Sequence, residues 1–206
     1  MVDLVFICQK ILAKDITNMN IGIIPDGNRR YEKAKELDPG MGHVKGMENM
    51  KAILNHIEKK HSEIHNIIVY ALSMENVINR DSFETQFLFD MYEKELAKFE
   101  NNEVDIRIIG NSQYYPESFR ETAINVPRRS RQTTLNLLIA YSEERLNEPI
   151  DLVIRTGGQH RLSGFCPWDS RYANLYFSDK LFPDFGIKDF EEALEWNKKQ
   201  KNNYGE

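Results

Sequence analysis

The chain is expected to be a single-domain α/β protein, with a mostly parallel central sheet flanked by helices on both faces. Three observations predict this. Short runs of uninterrupted apolar residues alternate with longer amphipathic stretches of helical period. A length of 206 residues at 41% hydrophobic content supports one sizeable core but not two. The polar motifs follow the apolar runs directly, which collects them along one rim of a parallel sheet, where ligands bind.

In chain order, residues 2–14 place Leu4, Val5, Ile7, Ile11 and Leu12 at roughly helical spacing. They suggest a short amphipathic helix, packed on the domain or a partner subunit or resting peripherally on a membrane. Ile21–Ile24 reads as a buried strand that enters the loop Pro25-Asp26-Gly27-Asn28. From about Gly42 to Lys60, Val44, Met47, Met50, Ile53, Leu54 and Ile57 share one helical face. Ile67–Leu72 is a second strand, and residues 82–100 are a helix striped by Phe83, Phe87, Met91, Leu96 and Phe99. Val104–Ile109, closed by Gly110-Asn111, is the third strand; Thr134–Tyr141 and Asp151–Arg155 are the fourth and fifth. Trp168–Phe185 is dense in aromatic residues and reads mostly as core. Residues 1–206 form one domain, and the Lys- and Asn-rich end, 198–206, is expected to fray.

Composition removes several classes of function. A formal charge of −5 and a pI near 5.6 provide no basic field, so no nucleic-acid partner is expected. Cys8 and Cys166 are too far apart to suggest a disulfide framework or a cysteine-based zinc site. Leu4–Cys8 is too short to span a bilayer, and the first twelve residues lack the basic start and small-residue cleavage site of a signal peptide. A cytoplasmic location, with peripheral membrane contact at most, is the expectation. No serine occupies a nucleophile elbow, and the glycines match neither a P-loop nor a dinucleotide fingerprint.

Two constellations carry chemistry. In Asp26-Gly27-Asn28-Arg29-Arg30, Gly27 admits a ligand close to the backbone and the following helix start favours an anion. Arg30 can grip phosphate oxygens in bidentate fashion, Asp26 can hold a bridging magnesium ion, and His43 can add a donor. Taken alone, the motif fits a capped turn with two solvated arginines equally well. The second constellation, Arg155-Thr156-Gly157-Gly158-Gln159-His160-Arg161-Leu162-Ser163, sets two arginines, two glycines and two hydroxyls after a core strand. It reads as a cradle for a second diphosphate, clamped by Arg155 and Arg161. His160 reads as a general base or a hydrogen-bonding spacer.

At this point the chain resembles the cis-prenyltransferases, the undecaprenyl diphosphate synthase-like family, and more narrowly their archaeal branch. The resemblance runs through IGIIPDGNRRYEKAK, GHVKG, YALSMEN, RIIGN, LNLLIAYS and DLVIRTGGQHRLSGFCPWDSRYANLYFSDKLFPDF. It implies an α/β homodimer that joins an allylic prenyl diphosphate to isopentenyl diphosphate with Mg2+, beside a hydrophobic tunnel for the growing chain. By the same resemblance, Asp26 matches the metal-binding aspartate, and Gly27, Asn28, Arg29, Arg30 and His43 match the allylic diphosphate pocket. Asn76 lies in the segment associated with proton removal, and Arg155, Arg161 and Ser163 match the isopentenyl diphosphate site.

The chain also departs from the family pattern. Asn174 stands where a second metal-binding glutamate is expected, and an amide ligates Mg2+ without adding charge. Pro39 replaces a phosphate-binding arginine, Val77 replaces a tryptophan, and Arg80 is displaced by one residue. The helical stretch before DLVIRT is cut to Glu143–Ile150, and the terminal signature reads Asn203-Tyr204-Gly205. Two functions accommodate these changes: an active prenyltransferase with a short-chain or irregular head-to-middle product or another prenyl acceptor, or a non-catalytic prenyl-diphosphate-binding subunit of a heteromer. Retention of Asp26, Arg30, Arg155 and Arg161 together favours the first.

Overall fold

The computed structural model describes residues 18–98, 105–126 and 133–201. Six strands form one sheet: β1 (Met19–Ile24), β2 (Ile64–Ser73), β3 (Asp105–Ile109), β4 (Thr134–Tyr141), β5 (Leu152–Arg155) and β6 (Asn174–Phe177). Their order is β3-β4-β2-β1-β5-β6, and every neighbouring pair is parallel. The helices are α1 (Asn28–Ala34), α2 (Met41–Lys60), α3 (Met74–Asn79), α4 (Ser82–Lys98), α5 (Glu117–Asn125) and α6 (Ile187–Lys198). The α/β fold expected from the sequence is the one observed.

Central strands must bury both faces, which is why β1 and β2 read as unbroken apolar runs. Their alternate residues serve two cores. Ile21, Ile23, Ile67 and Val69 join the larger core, where α2, α4 and α6 add Ile53, Ile57, Leu88, Phe89, Phe190 and Leu194. Ile24, Ile68, Leu138 and Val153 face a smaller core, closed by Ile150, Phe165 and Cys166 from the connections around β5. Each such fully buried side chain contributes roughly 1.5–3 kcal/mol.

The shortened connection at Glu143–Ile150 forms no helix. The buried carboxylate of Asp169 accepts from the Leu146 and Glu148 amides at 3.0 and 3.2 Å, which pins the loop to the second core. Elsewhere, β2 extends beyond the expected Ile67–Leu72, and α3, α5, α6 and β6 were not expected. Trp168 and Tyr172 correct the reading of 168–185 as core: both are exposed, whereas Phe182 and Phe185 are buried. The expected N-terminal helix 2–14, Cys8, Phe99, Val104 and the terminal Asn203-Tyr204-Gly205 lie outside the described residues. Among the described residues no helix is long and apolar enough to cross a membrane.

Candidate active site

All strands run the same way, so the loops after β1, β2 and β5 emerge on one edge. Asp26 follows β1 and Arg155 ends β5, and these strands pair in register with Ile24 opposite Arg155. That pairing brings the two arginine motifs together. Arg30 donates to Asp26 Oδ1 at 3.1 Å, and Arg155 donates to Oδ2 at 2.9 Å. The Arg155 guanidinium also donates to the Arg161 carbonyl and, at 2.9 Å, to Ser163 Oγ. One buried side chain thereby links the Asp26 loop to the whole 155–163 cradle.

This use of Arg155 alters its expected role. It is 4% exposed, and most of its donors are engaged by protein, while its Nε is buried without a partner. Arg155 positions the cradle, whereas Arg30 and Arg161 are the exposed guanidiniums. Ser163 is held at φ 52, a left-handed conformation that non-glycine residues seldom adopt, with its hydroxyl turned to Arg155.

The paired glycines have a steric reason. Their amides donate to the Lys180 and Ser178 carbonyls, so they are not free for a ligand. A Cβ on Gly157, which sits at φ 83, would lie 2.4 Å from Arg30 Nη2 and 3.0 Å from the Asp26 carbonyl. Only glycine admits Arg30 to this corner. Thr156 closes it by donating its hydroxyl to the Asp26 carbonyl at 2.8 Å. His160 stacks on Phe177 with centroids 4.8 Å apart, as a spacer would.

A second cluster adjoins the first through α1. Arg29 and Arg80 both donate to Glu84, at 3.3 and 2.8 Å, and His43 Nε2 lies 3.8 Å from the same carboxylate. Burial, then the charge of Arg80 and to a lesser degree Arg29, outweighs Glu84 and pushes the His43 pKa down to about 4. The ring is neutral at physiological pH and serves as a hydrogen-bonding group. Glu84 was missed in the sequence. Its spacing of four from Arg80 was the available signal, but Arg29 reaches it across 55 positions.

Asn28 connects this cluster to α2. A Cβ on Gly42 or Gly46, both on one face of α2, would lie 2.0 Å from the Asn28 carbonyl oxygen or 2.3 Å from its Oδ1. The GHVKG motif therefore exists to let α1 dock. Asn28 Oδ1 and His43 Nε2 are buried there without hydrogen-bond partners. They line an apolar cavity of about 60 Å3, walled also by Met47, Met50, Val69, Leu135 and Leu137. Its lining also includes Lys51 and Glu95, paired at 2.6 Å.

Asn76 lies on α3 at the same rim as Asp26, its backbone N–H donating to the helix-capping Ser73 Oγ at 3.0 Å. Asn174 does not belong to this group. It opens β6 in register with Leu152, whereas Phe177 is the residue opposite Arg155. Three strand residues, about 10 Å, separate it from the cradle, and its amide donates to Asn197. Within one chain it cannot share a cation with Asp26, which corrects the expected ligand pair. A magnesium ion still fits Asp26 alone, because Mg2+ is commonly held by one carboxylate together with substrate phosphates and water.

Comparison with known proteins agrees with this geometry. A family model described as "Putative undecaprenyl diphosphate synthase" matches residues 24–146 and 143–205, two blocks that meet at the shortened connection. A tritrans,polycis-undecaprenyl-diphosphate synthase (geranylgeranyl-diphosphate specific) of Aeropyrum pernix is 33% identical over 203 residues, covering 85% of this chain and 93% of that protein. An isoprenyl transferase of Treponema denticola is 31% identical over 222 residues, covering 90% and 96%. Among solved structures, lavandulyl diphosphate synthase from Lavandula x intermedia, in complex with dimethylallyl diphosphate, superposes with a TM-score of 0.83. Its identity is 25%, with 93% of this chain and 99% of that chain covered. Two arginine motifs joined at one sheet edge, over an apolar cavity and within a sequence match of this extent, place the chain in the undecaprenyl diphosphate synthase family of cis-prenyltransferases, transferases that build prenyl diphosphates.

Proposed function

We propose that the chain transfers the prenyl group of a short allylic diphosphate to isopentenyl diphosphate or another isoprenoid acceptor, releasing diphosphate with Mg2+ held by Asp26. The observation that carries this reading is the Asp26 carboxylate shared by Arg30 and Arg155, which joins two anion-binding loops above an apolar cavity. Arg29, Arg30, Arg80, Gly27, Asn28 and His43 would hold the allylic diphosphate. Arg161 and Ser163, positioned by Arg155, would hold the acceptor's. Magnesium, when bound, neutralises charge on the departing diphosphate. Fixed guanidiniums at the same edge stabilise that charge without reorganising. Asn76, on α3 directly after β2, would orient the group that accepts the proton lost after the new carbon–carbon bond forms.

The size of the cavity supports a short product. About 60 Å3 holds on the order of four water molecules, close to one five-carbon unit. The Lys51–Glu95 pair sets charge in the path of a longer apolar tail. The likeness to a lavandulyl diphosphate synthase in complex with dimethylallyl diphosphate, a five-carbon allylic diphosphate, supports a short donor, and irregular head-to-middle coupling is one form of that short product. We place the protein in the cytoplasm as a homodimer; sedimentation velocity checks the assembly.

The test is incubation of the chain with Mg2+, labelled isopentenyl diphosphate and C5 to C20 allylic diphosphates, followed by mass spectrometry of the extract. Short products in the C10 to C20 range are expected. No labelled product from any donor would defeat the catalytic reading in favour of a non-catalytic binding subunit. Replacing both charges at the cavity wall, Lys51→Leu with Glu95→Leu, is expected to lengthen the product by at least one unit. An unchanged product length would remove that pair from chain-length control.

A further inference from the structure

Away from the arginine motifs, His56, His61 and Glu191 converge. His56 lies in the last turns of α2, His61 is the residue that ends it, and Glu191 projects from α6. The two Nε2 atoms lie 2.5 and 2.8 Å from the same Glu191 Oε1, and the three candidate ligand atoms all fall within 4.8 Å of one another. His61 sits just before β2, whereas the diphosphate loops follow the strands' other ends. The ten residues of β2 separate the two places by about 30 Å.

We propose that His56, His61 and Glu191 form a binding site for a borderline-soft divalent transition metal, zinc above all, with the fourth position open to water. Two imidazole nitrogens and one carboxylate are the donor set such an ion takes, and two of the side chains come from elements adjacent in space but 130 residues apart in sequence. A second observation points the same way. The other nitrogen of His61, Nδ1, is 2.8 Å from Glu63 Oε1. This is the outer carboxylate that orients a metal-bound histidine and raises its basicity. A neutral imidazole has one ring proton and cannot donate to Glu63 and Glu191 together, so the second nitrogen takes a cation. That cation is either a proton, which burial opposes but the two carboxylates favour more, raising the His61 pKa, or a metal ion. A cation at Nε2 completes the arrangement, and a metal can satisfy His56 at the same time.

Taking up an ion needs side-chain adjustment. Metal–ligand bonds of about 2.0–2.2 Å at tetrahedral angles set ligand atoms roughly 3.3 Å apart. From contacts of 2.5 and 2.8 Å the Glu191 oxygen must draw back by about 0.8 and about 0.5 Å, and the two Nε2 atoms, which lie within 4.8 Å of each other, must close by up to about 1.5 Å. Rotation of Glu191, the most exposed of the three, supplies the first movement, and rotation of the His56 ring the second. The ion would tie α6 to the end of α2 at the edge of the larger core, where His61 already packs edge-on against Phe190. Its role there is to hold the fold together, separate from prenyl transfer.

The experiment uses the full chain without a purification tag, stripped by chelator and titrated with Co2+, whose tetrahedral complexes absorb visibly. One equivalent is expected to saturate a band that Zn2+ then quenches. His56→Ala should abolish the band, Glu63→Gln should weaken Co2+ affinity about 10–100-fold, and Asp26→Ala should leave it unchanged. That last result separates this site from the one at the diphosphate rim. Circular dichroism establishes that each variant is folded, and Glu191→Gln serves should His56→Ala fail to fold. The absence of a band in folded native protein, or a band of equal strength in the folded ligand variant, overturns the proposal.

Discussion

Two carboxylates in this molecule each lie between two arginines, and the contrast between them explains the rim. Asp26 is held by Arg30 and Arg155; Glu84 is held by Arg29 and Arg80. Arg29 and Arg30 are neighbours on α1, so one short helix feeds both clusters. The difference lies behind the arginines. Arg155 is buried and fastened to Ser163 and the Arg161 carbonyl, whereas Arg29 is 63% exposed and Arg80 is local to Glu84 on the chain. The Asp26 cluster is therefore a joint of the fold, whose carboxylate would also hold Mg2+ in the proposed function. The Glu84 cluster is an internal counter-ion, which in the proposed function an incoming diphosphate would displace. A carboxylate between arginines has two quite different meanings, and what the more buried arginine of each pair also fastens decides which applies.

Removing each group in turn tests that contrast. The largest loss is expected for Asp26→Ala, a fall in turnover of about 10²–10³-fold or more measured with saturating diphosphates. Full activity in that variant would end the metal assignment. Arg155→Ala should lower the unfolding free energy by about 3–4 kcal/mol in urea, because it leaves Asp26, Ser163 and the Arg161 carbonyl without their shared donor. A change below about 1 kcal/mol would reduce Arg155 to a surface clamp.

On the other side of α1, the His43 pKa near 4 has a definite sign. The unfolded ring takes up a proton near pH 6.5 while the folded ring does not, so stability is full above that pH and falls as pH drops towards 4. The loss is at most about 3 kcal/mol. His43→Gln should flatten this part of the stability profile, and an unaltered slope would place the acid sensitivity elsewhere. The smallest effect belongs to Glu84→Gln. With the competing charge gone, KM for the allylic diphosphate should fall about fivefold, close to 1 kcal/mol, with kcat unchanged. A variant that instead lost kcat as Asp26→Ala does would erase the distinction between the two carboxylates.

How much of this was legible in the sequence depended on how much each element buries. β1, β2, β4 and β5 announce themselves as apolar runs because both faces are covered. β6 was hidden because its residues are half-buried or exposed at the sheet's end, with neither run nor alternation. Among the helices, α1 and α3 bury no residue fully and α5 buries only Phe119, so a hydrophobic stripe was never available. The helix α6 does carry one, through Phe190, Ala193 and Leu194, but it is narrow and set among charged residues.

For the site, the two arginine motifs could be read directly because each follows a core strand. Their meeting was a consequence of β1 pairing with β5, which no local pattern contains. The position of Asn174, set apart from the cradle within one chain, follows from the same kind of pairing. Only the register reveals which end of β6 that residue occupies.

The position of β1 in the strand order also bears on how the chain is made. β1 is synthesised first and pairs on one side with β2, but its other neighbour, β5, does not begin until Leu152. Until Leu152–Arg155 has left the ribosome, the apolar segment MNIGII offers a bare edge to any other nascent strand. Producing this enzyme in quantity should thus depend on slow synthesis or a holding chaperone more than on the strength of the finished fold.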